Sequence, residues 1–214
     1  MSPEGAELMQ MVITPAPVEA VDALLAQPGW EGAIAYESVA GHPRTLVIRG
    51  LPEDADLAAA GIALAGLRAA GPIAANVYRR ILLAPDDGGR FFTGGPLSIV
   101  LIDMLPEREE AMNAWYDTSH VPNLLEVPGY RVASRFRVVE PRATSMSTGP
   151  AYLALYELDD EAAIPLIGPD PEHMTPAAIA ELEVFQRDWA SSVTTLAWTV
   201  FRPRRAAVDA ARGR

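Results

Sequence analysis

The chain has no cysteine among its 214 residues and only three histidines. The first absence excludes disulfides, thiolate zinc sites and a cysteine nucleophile. The histidines, His42, His120 and His173, lie too far apart for H-x-H or H-E-x-x-H zinc spacing. No run of 18 apolar residues is present to cross a bilayer. There is no G-x-S-x-G nucleophile elbow, and the glycine-rich DDGGR at 86–90 lacks the spacing and lysine of a phosphate loop. Positive charge is scarce. Seventeen Lys and Arg stand against 28 Asp and Glu, for a net charge of −11, which argues against a general nucleic-acid partner. The one dense basic cluster, Arg202 to Arg205, reads as a solvated strand end and tail. The start of the chain, MSPEGAELMQMVI, shows no basic n-region and no long apolar core. A cytoplasmic protein with no membrane partner is therefore expected.

What the chain does have is a repeat. Val21–Trp30 reads VDALLAQPGW and Val121–Tyr130 reads VPNLLEVPGY, 100 residues later and without a gap. Just before the second copy stands NAWYDTSH, ending at His120. The matching position of the first copy is Ala20. A duplicated unit that keeps polar groups in one copy only suggests a scaffold half and a site half.

Half of the residues are apolar and 21% are charged, as in a folded globule. Hydrophobic periodicity predicts a strand at Glu7–Thr14, a helix at Pro17–Ala26 ended by Pro28-Gly29, strands at Trp30–Ser38 and Arg44–Gly50, a helix at Asp54–Ala70 and a strand at Ile73–Leu83. The order βαββαβ then recurs. Strands are expected at Leu97–Met104, Tyr130–Val139, Ala151–Leu158 and Val193–Phe201, with helices at Pro106–Glu126 and Thr175–Ser192. Pro122 is expected to break or bend the first of these helices, and Thr175 to cap the second. Residues 1–84 form one ferredoxin-like repeat, 85–95 a linker, 96–205 the second repeat with the site, and 206–214 a tail. The fold class is α+β. Each unit has an antiparallel sheet with helices on one face. Two such sheets on one chain can close into a single α/β barrel with helices outside; two independent ferredoxin-like domains are the alternative.

Residues 107–130, EREEAMNAWYDTSHVPNLLEVPGY, resemble the dimeric α/β-barrel superfamily, in particular its EthD-like and antibiotic-biosynthesis-monooxygenase-like branches. The resemblance rests on Trp115, Tyr116, His120, Val121, Pro122, Pro128, Gly129 and Tyr130. It covers the second half well and the first by position and strand order only. It implies a cavity between sheet and helices with a helix-borne histidine as acid/base group. The superfamily hosts cofactor-free oxygenases, cyclases and isomerases as well as haem proteins, so fold does not fix the reaction.

His120 is the leading candidate, because an imidazole exchanges protons near neutral pH. Tyr116 lies one helical turn before it and Asp117 at i−3, where a carboxylate would orient the ring. Trp115, Asn123, Arg135, Tyr152, Tyr156 and Trp189 are the expected substrate contacts. Arg131, Arg135 and Arg137 share one strand parity and require anionic partners if buried. His42 and His173 read as turn and loop residues. The expected function is a cofactor-independent lyase, isomerase or cyclase acting on a small apolar carbonyl compound, aromatic or polyketide-like. A cofactor-free monooxygenase, a haem-binding protein with an axial histidine and a non-catalytic binding module are the alternatives. No cofactor is expected, haem being the less favoured case. The partner is a small-molecule substrate. The duplication removes the need for a second copy to close the barrel, and leaves monomer and homodimer both open.

Overall fold

The computed structural model describes residues 3, 6–39, 44–57, 64, 67, 74–85, 92–139, 149–167, 172 and 174–204. His42, His173, most of the helix expected at Asp54–Ala70 and the expected tail lie outside the described residues. The first half supplies β1 (Leu8–Thr14), α1 (Val18–Leu25), β2 (Ile34–Ser38), β3 (Thr45–Leu51) and β4 (Ala74–Ala84). The second supplies β5 (Leu97–Met104), α2 (Glu109–Trp115), α3 (Val121–Leu125), β6 (Tyr130–Val138), β7 (Tyr152–Leu158), α4 (Ile164–Ile167), α5 (Pro176–Asp188) and β8 (Val193–Pro203). α4 was not foreseen. The strand expected from Trp30 begins only at Ile34, because 30–33 form the turn after the PGW corner. No described helix is long and apolar enough to cross a membrane.

All eight strands pair antiparallel into one closed barrel, in the order β1-β3-β2-β8-β5-β7-β6-β4. The first half contributes 4-1-3-2 and the second 8-5-7-6, the same arrangement twice. Each half thus closes the other's open edges, which would otherwise present unpaired backbone groups. The two seams differ in length. β4 pairs β6 from Tyr78↔Val138 to Ala84↔Ala133. β2 meets β8 only at Tyr36↔Pro203, Glu37↔Arg202 and Ser38↔Phe201. Arg204, buried beside this short seam, reaches Asp22 at 3.0 Å and Glu37 at 3.8 Å. Arg204 of the basic cluster is thus a tie between halves and not a solvated residue.

Strand alternation sorts side chains into two layers. Leu97, Ile99, Leu101, Leu153, Leu155 and Phe136 face inward, where they meet Met9, Met11, Tyr36 and Ile48 of the first half. The barrel interior is a packed core. Outward-facing residues of β5, β7 and β8 meet α2, α3 and α5. The corresponding layer of the first half packs Val21 and Leu24 of α1 on Val12, Ala35, Val47 and Trp30.

The expected linker is not a loose tether throughout. The wholly buried Glu157 carboxylate accepts the backbone N–H groups of Phe92, Thr93 and Gly95, the last two at 2.8 and 3.0 Å. Arg131 joins the same carboxylate at 2.7 Å. Residues 92–95 are therefore fixed to the second half, while 86–91 lie outside the described residues.

Candidate active site

The helix that carries His120 changes pitch as it approaches that residue. α2 runs in α geometry to Trp115, then Tyr116–His120 form a π turn before α3 resumes at Val121. Pro122 supplies the local reason. It has no N–H to continue the i→i−4 ladder, and the Val121 N–H instead reaches back to the Tyr116 carbonyl. The helix widens where Pro122 was expected to break or bend it. An i→i+5 turn also brings Trp115 over His120. The two rings stack at 4.4 Å between centroids, and Tyr116 meets the imidazole edge-on at 4.9 Å.

The second half has a cavity of about 100 Å³ between its helix layer and the outer face of its sheet. Ser98, Val100, Tyr156, Leu196 and Trp198 form its sheet wall, and Tyr116, His120 and Leu124 one helical wall. α5 closes the other side through Ala178, Glu181, Leu182 and Phe185. Tyr130 also lines the cavity, against strict alternation with Val132 and Phe136 of β6. A β-bulge between Tyr130 and Val132 turns its ring to the helix side.

Glu181 is the residue that sequence reasoning missed. Its Oε2 lies 2.9 Å from His120 Nδ1, and its Oε1 accepts a 2.7 Å hydrogen bond from Asn123 Nδ2. Both the histidine and the glutamate side chains are largely buried. Burial pushes the His120 pKa below its ordinary value, and the bond and charge of Glu181 oppose this only in part. Glu181 is itself held below the usual carboxylate range, chiefly by the His120 hydrogen bond. The state these shifts favour at neutral pH is an ionised Glu181 accepting Nδ1–H from a neutral imidazole. That tautomer leaves the Nε2 lone pair available.

The other expected residues divide. Tyr116 and Tyr156 line the cavity. Asn123 holds Glu181 and not a ligand. Asp117 does not orient His120. It pairs with Arg135, whose guanidinium also binds the Asn113 side chain and lies 4.4 Å from the centre of the Tyr116 ring. Arg135 is therefore committed to the inside of the helix–sheet layer and is absent from the cavity lining, contrary to its expected role with substrate. Its neighbours on the strand also pair with carboxylates, the part-buried Arg131 with Glu157 and the exposed Arg137 with Glu109 at 2.9 Å. Tyr152 also stands outside the cavity, its hydroxyl donating to Glu109 and accepting from Asn113. Trp115 backs the imidazole, and Trp189 lies 5.4 Å behind Trp115 with Arg108 over its ring. Neither lines the cavity. Thr175 caps α5 by accepting the Ala178 N–H at 3.2 Å, as expected.

Among the described residues, no three His, Asp or Glu side chains gather as metal ligands. No protein-family model matches the chain, and no curated protein matches it. Solved structures do resemble it. An anthrone oxidase-like protein superposes with a TM-score of 0.61 at 16% identity, covering 95% of each chain. A ferredoxin-fold protein from Listeria monocytogenes related to antibiotic biosynthesis monooxygenases gives 0.54 at 10% identity, covering 93% of this chain and 96% of its own. A heme-degrading enzyme from the same species gives 0.52 at 10% identity, covering 90% and 98%. At these identities the likeness establishes the ferredoxin-like barrel fold alone.

Proposed function

We propose that this protein is a cofactor-independent enzyme that removes a proton from the carbon beside a carbonyl group in a small apolar, aromatic substrate. The observation that carries this reading is the Glu181–His120 pair at the wall of a mostly apolar cavity. His120 Nε2 takes the proton while the C–H electron pair moves onto the carbonyl oxygen as an enolate. Glu181 supports the imidazolium that results, through the hydrogen bond already in place. Return of the proton to another carbon is isomerisation. Loss of a leaving group is elimination, and attack on a second carbonyl is cyclisation.

A second reading shares the first step. The enolate is instead oxidised by molecular oxygen, as the names of the anthrone oxidase-like and monooxygenase-related neighbours suggest. Haem suits the cavity poorly. No Lys or Arg lines the described wall to receive its propionates.

The test is exchange of the α-protons of 2-tetralone in deuterium oxide, followed by NMR. His120→Ala is expected to abolish protein-dependent exchange while the protein stays folded. Undiminished exchange removes His120 as the base. Oxygen uptake during turnover selects the oxidative branch.

A further inference from the structure

The cavity wall holds a hydrogen-bond donor that has no acceptor among the described residues. Tyr116 comes from the π turn, Tyr130 from the bulge of β6 and Tyr156 from β7, and all three line the same space. The Tyr156 hydroxyl is buried and has no hydrogen-bond partner among the described residues. An unpaired buried hydroxyl is costly to the fold and persists where something outside the protein completes it. The nearby acceptors are already engaged. Glu181 receives His120 and Asn123, and Ser98 Oγ receives the Trp198 indole N–H at 2.8 Å.

The rings are held in place before any ligand arrives. Tyr130 and Tyr156 pack edge to face at 5.4 Å, and Tyr116 is fixed between Trp115 and the Arg135 guanidinium. Burial raises all three phenol pKa values, that of Tyr116 to about 12, so each keeps its proton. Fixed, protonated donors around a space beside a base suit an oxygen that becomes negative there.

We propose that Tyr156, with Tyr116 and Tyr130, forms an oxyanion site for the phenolate or enolate oxygen of the ligand. The inference rests on the proton-transfer reading for the origin of that charge, but the site binds a ready-made anion equally well. It makes Tyr156, expected from the sequence as a substrate contact, the catalytic donor. The ligand class is phenols and enolisable ketones, bound as their anions.

The experiment uses 4-nitrophenol, held at a pH where it is half ionised, with difference spectra recorded as protein is added. The wild-type protein is expected to increase the phenolate band. Tyr156→Phe is expected to bind the phenolate about tenfold more weakly or worse. The same variant is expected to melt no lower than wild type, since it deletes an unpaired buried hydroxyl. Binding as the neutral phenol, no binding at all, unchanged affinity in Tyr156→Phe, or a marked fall in its melting temperature each overturns the proposal. Unchanged nitrophenolate affinity in Tyr156→Phe, together with exchange lost in His120→Ala, removes the oxyanion site and leaves the base. Nitrophenolate binding that needs Tyr156, together with exchange indifferent to His120, removes the base and leaves the oxyanion site.

Discussion

At the helix-to-strand corner of the first half, Trp30 is buried with the Arg49 guanidinium 4.1 Å from its ring centre, and Arg49 is held by Gln10 at 2.7 Å. At the same corner of the second half, Tyr130 faces a cavity. Ten residues earlier, on the helix, Ala20 packs into the apolar layer of Val21, Leu24 and Val47, while His120 meets Glu181. The two halves share strand order and corner sequence, yet one space is filled and the other is kept open. The open half carries an unpaired hydroxyl, a carboxylate and a neutral imidazole at reduced solvation. The packed first-half layer also buries polar groups, but its Arg49 guanidinium is stacked on Trp30 and tied to Gln10 and the Gly29 carbonyl. The first half therefore contributes cohesion that the second half forgoes at its cavity.

The sharpest way to break this comparison is to exchange its two key positions. His120→Ala is expected to lower α-proton exchange by about 10²- to 10⁴-fold, and Ala20→His to confer none, both measured by NMR on 2-tetralone. If Ala20→His adds activity, the first half is not a silent wall. Next in size is Trp30→Ala, expected to cost about 3–5 kcal/mol in urea unfolding, with exchange by the folded protein unchanged. A comparable loss of activity would show the two layers to be coupled.

The pH behaviour sharpens the comparison further. A base must be neutral to act, so exchange is expected to fall in acid with a midpoint below the ordinary histidine value of 6.5. Glu181 raises the His120 pKa through its bond and charge. Glu181→Gln should therefore move that acid limb to still lower pH. An upward movement would show that Glu181 does not act on His120. The smallest effect concerns stability. The depressed His120 pKa means that the unfolded chain binds its proton first, so stability is complete above pH 6.5 and declines as pH falls from there through the folded pKa. Glu181 adds a further decline below 4.5 for the same reason. Thermal melts across this range should be flatter for His120→Gln than for wild type, while first-half substitutions leave the slope alone.

The sequence carried the strand order, the paired corners, the Thr175 cap and His120, because periodicity, turn residues and a lone titratable side chain are local signals. Three things were not legible. Glu181 lies 61 positions from its partner, one acid on a helix with several. A hint existed: Glu181 shares a helical stripe with Ala178, Phe185 and the Trp189 corner, and a carboxylate among buried apolar neighbours needs a partner. Tyr130 changed faces because a bulge breaks the two-residue period, and nothing in YRVASRF announces the bulge. Asp117 was assigned by α-helical spacing, but it sits in a π turn and points to Arg135, a strand residue whose depth the local pattern leaves undefined.

The Glu157 tie has a consequence for taking this molecule apart. Because its carboxylate gathers the backbone of 92–95 and Phe92 belongs to the barrel core, the natural seam of the chain lies ahead of Phe92 and not at the glycines that follow. A split ahead of Phe92 gives two fragments, each with its own four strands and with the histidine and its glutamate together on one of them. A cut at Gly95 would strip that fragment of the amides its buried carboxylate depends on. For complementation or circular permutation, a displacement of a few residues in the break point separates a reassembling pair from a fragment whose buried Glu157 carboxylate keeps Arg131 but loses its amide donors.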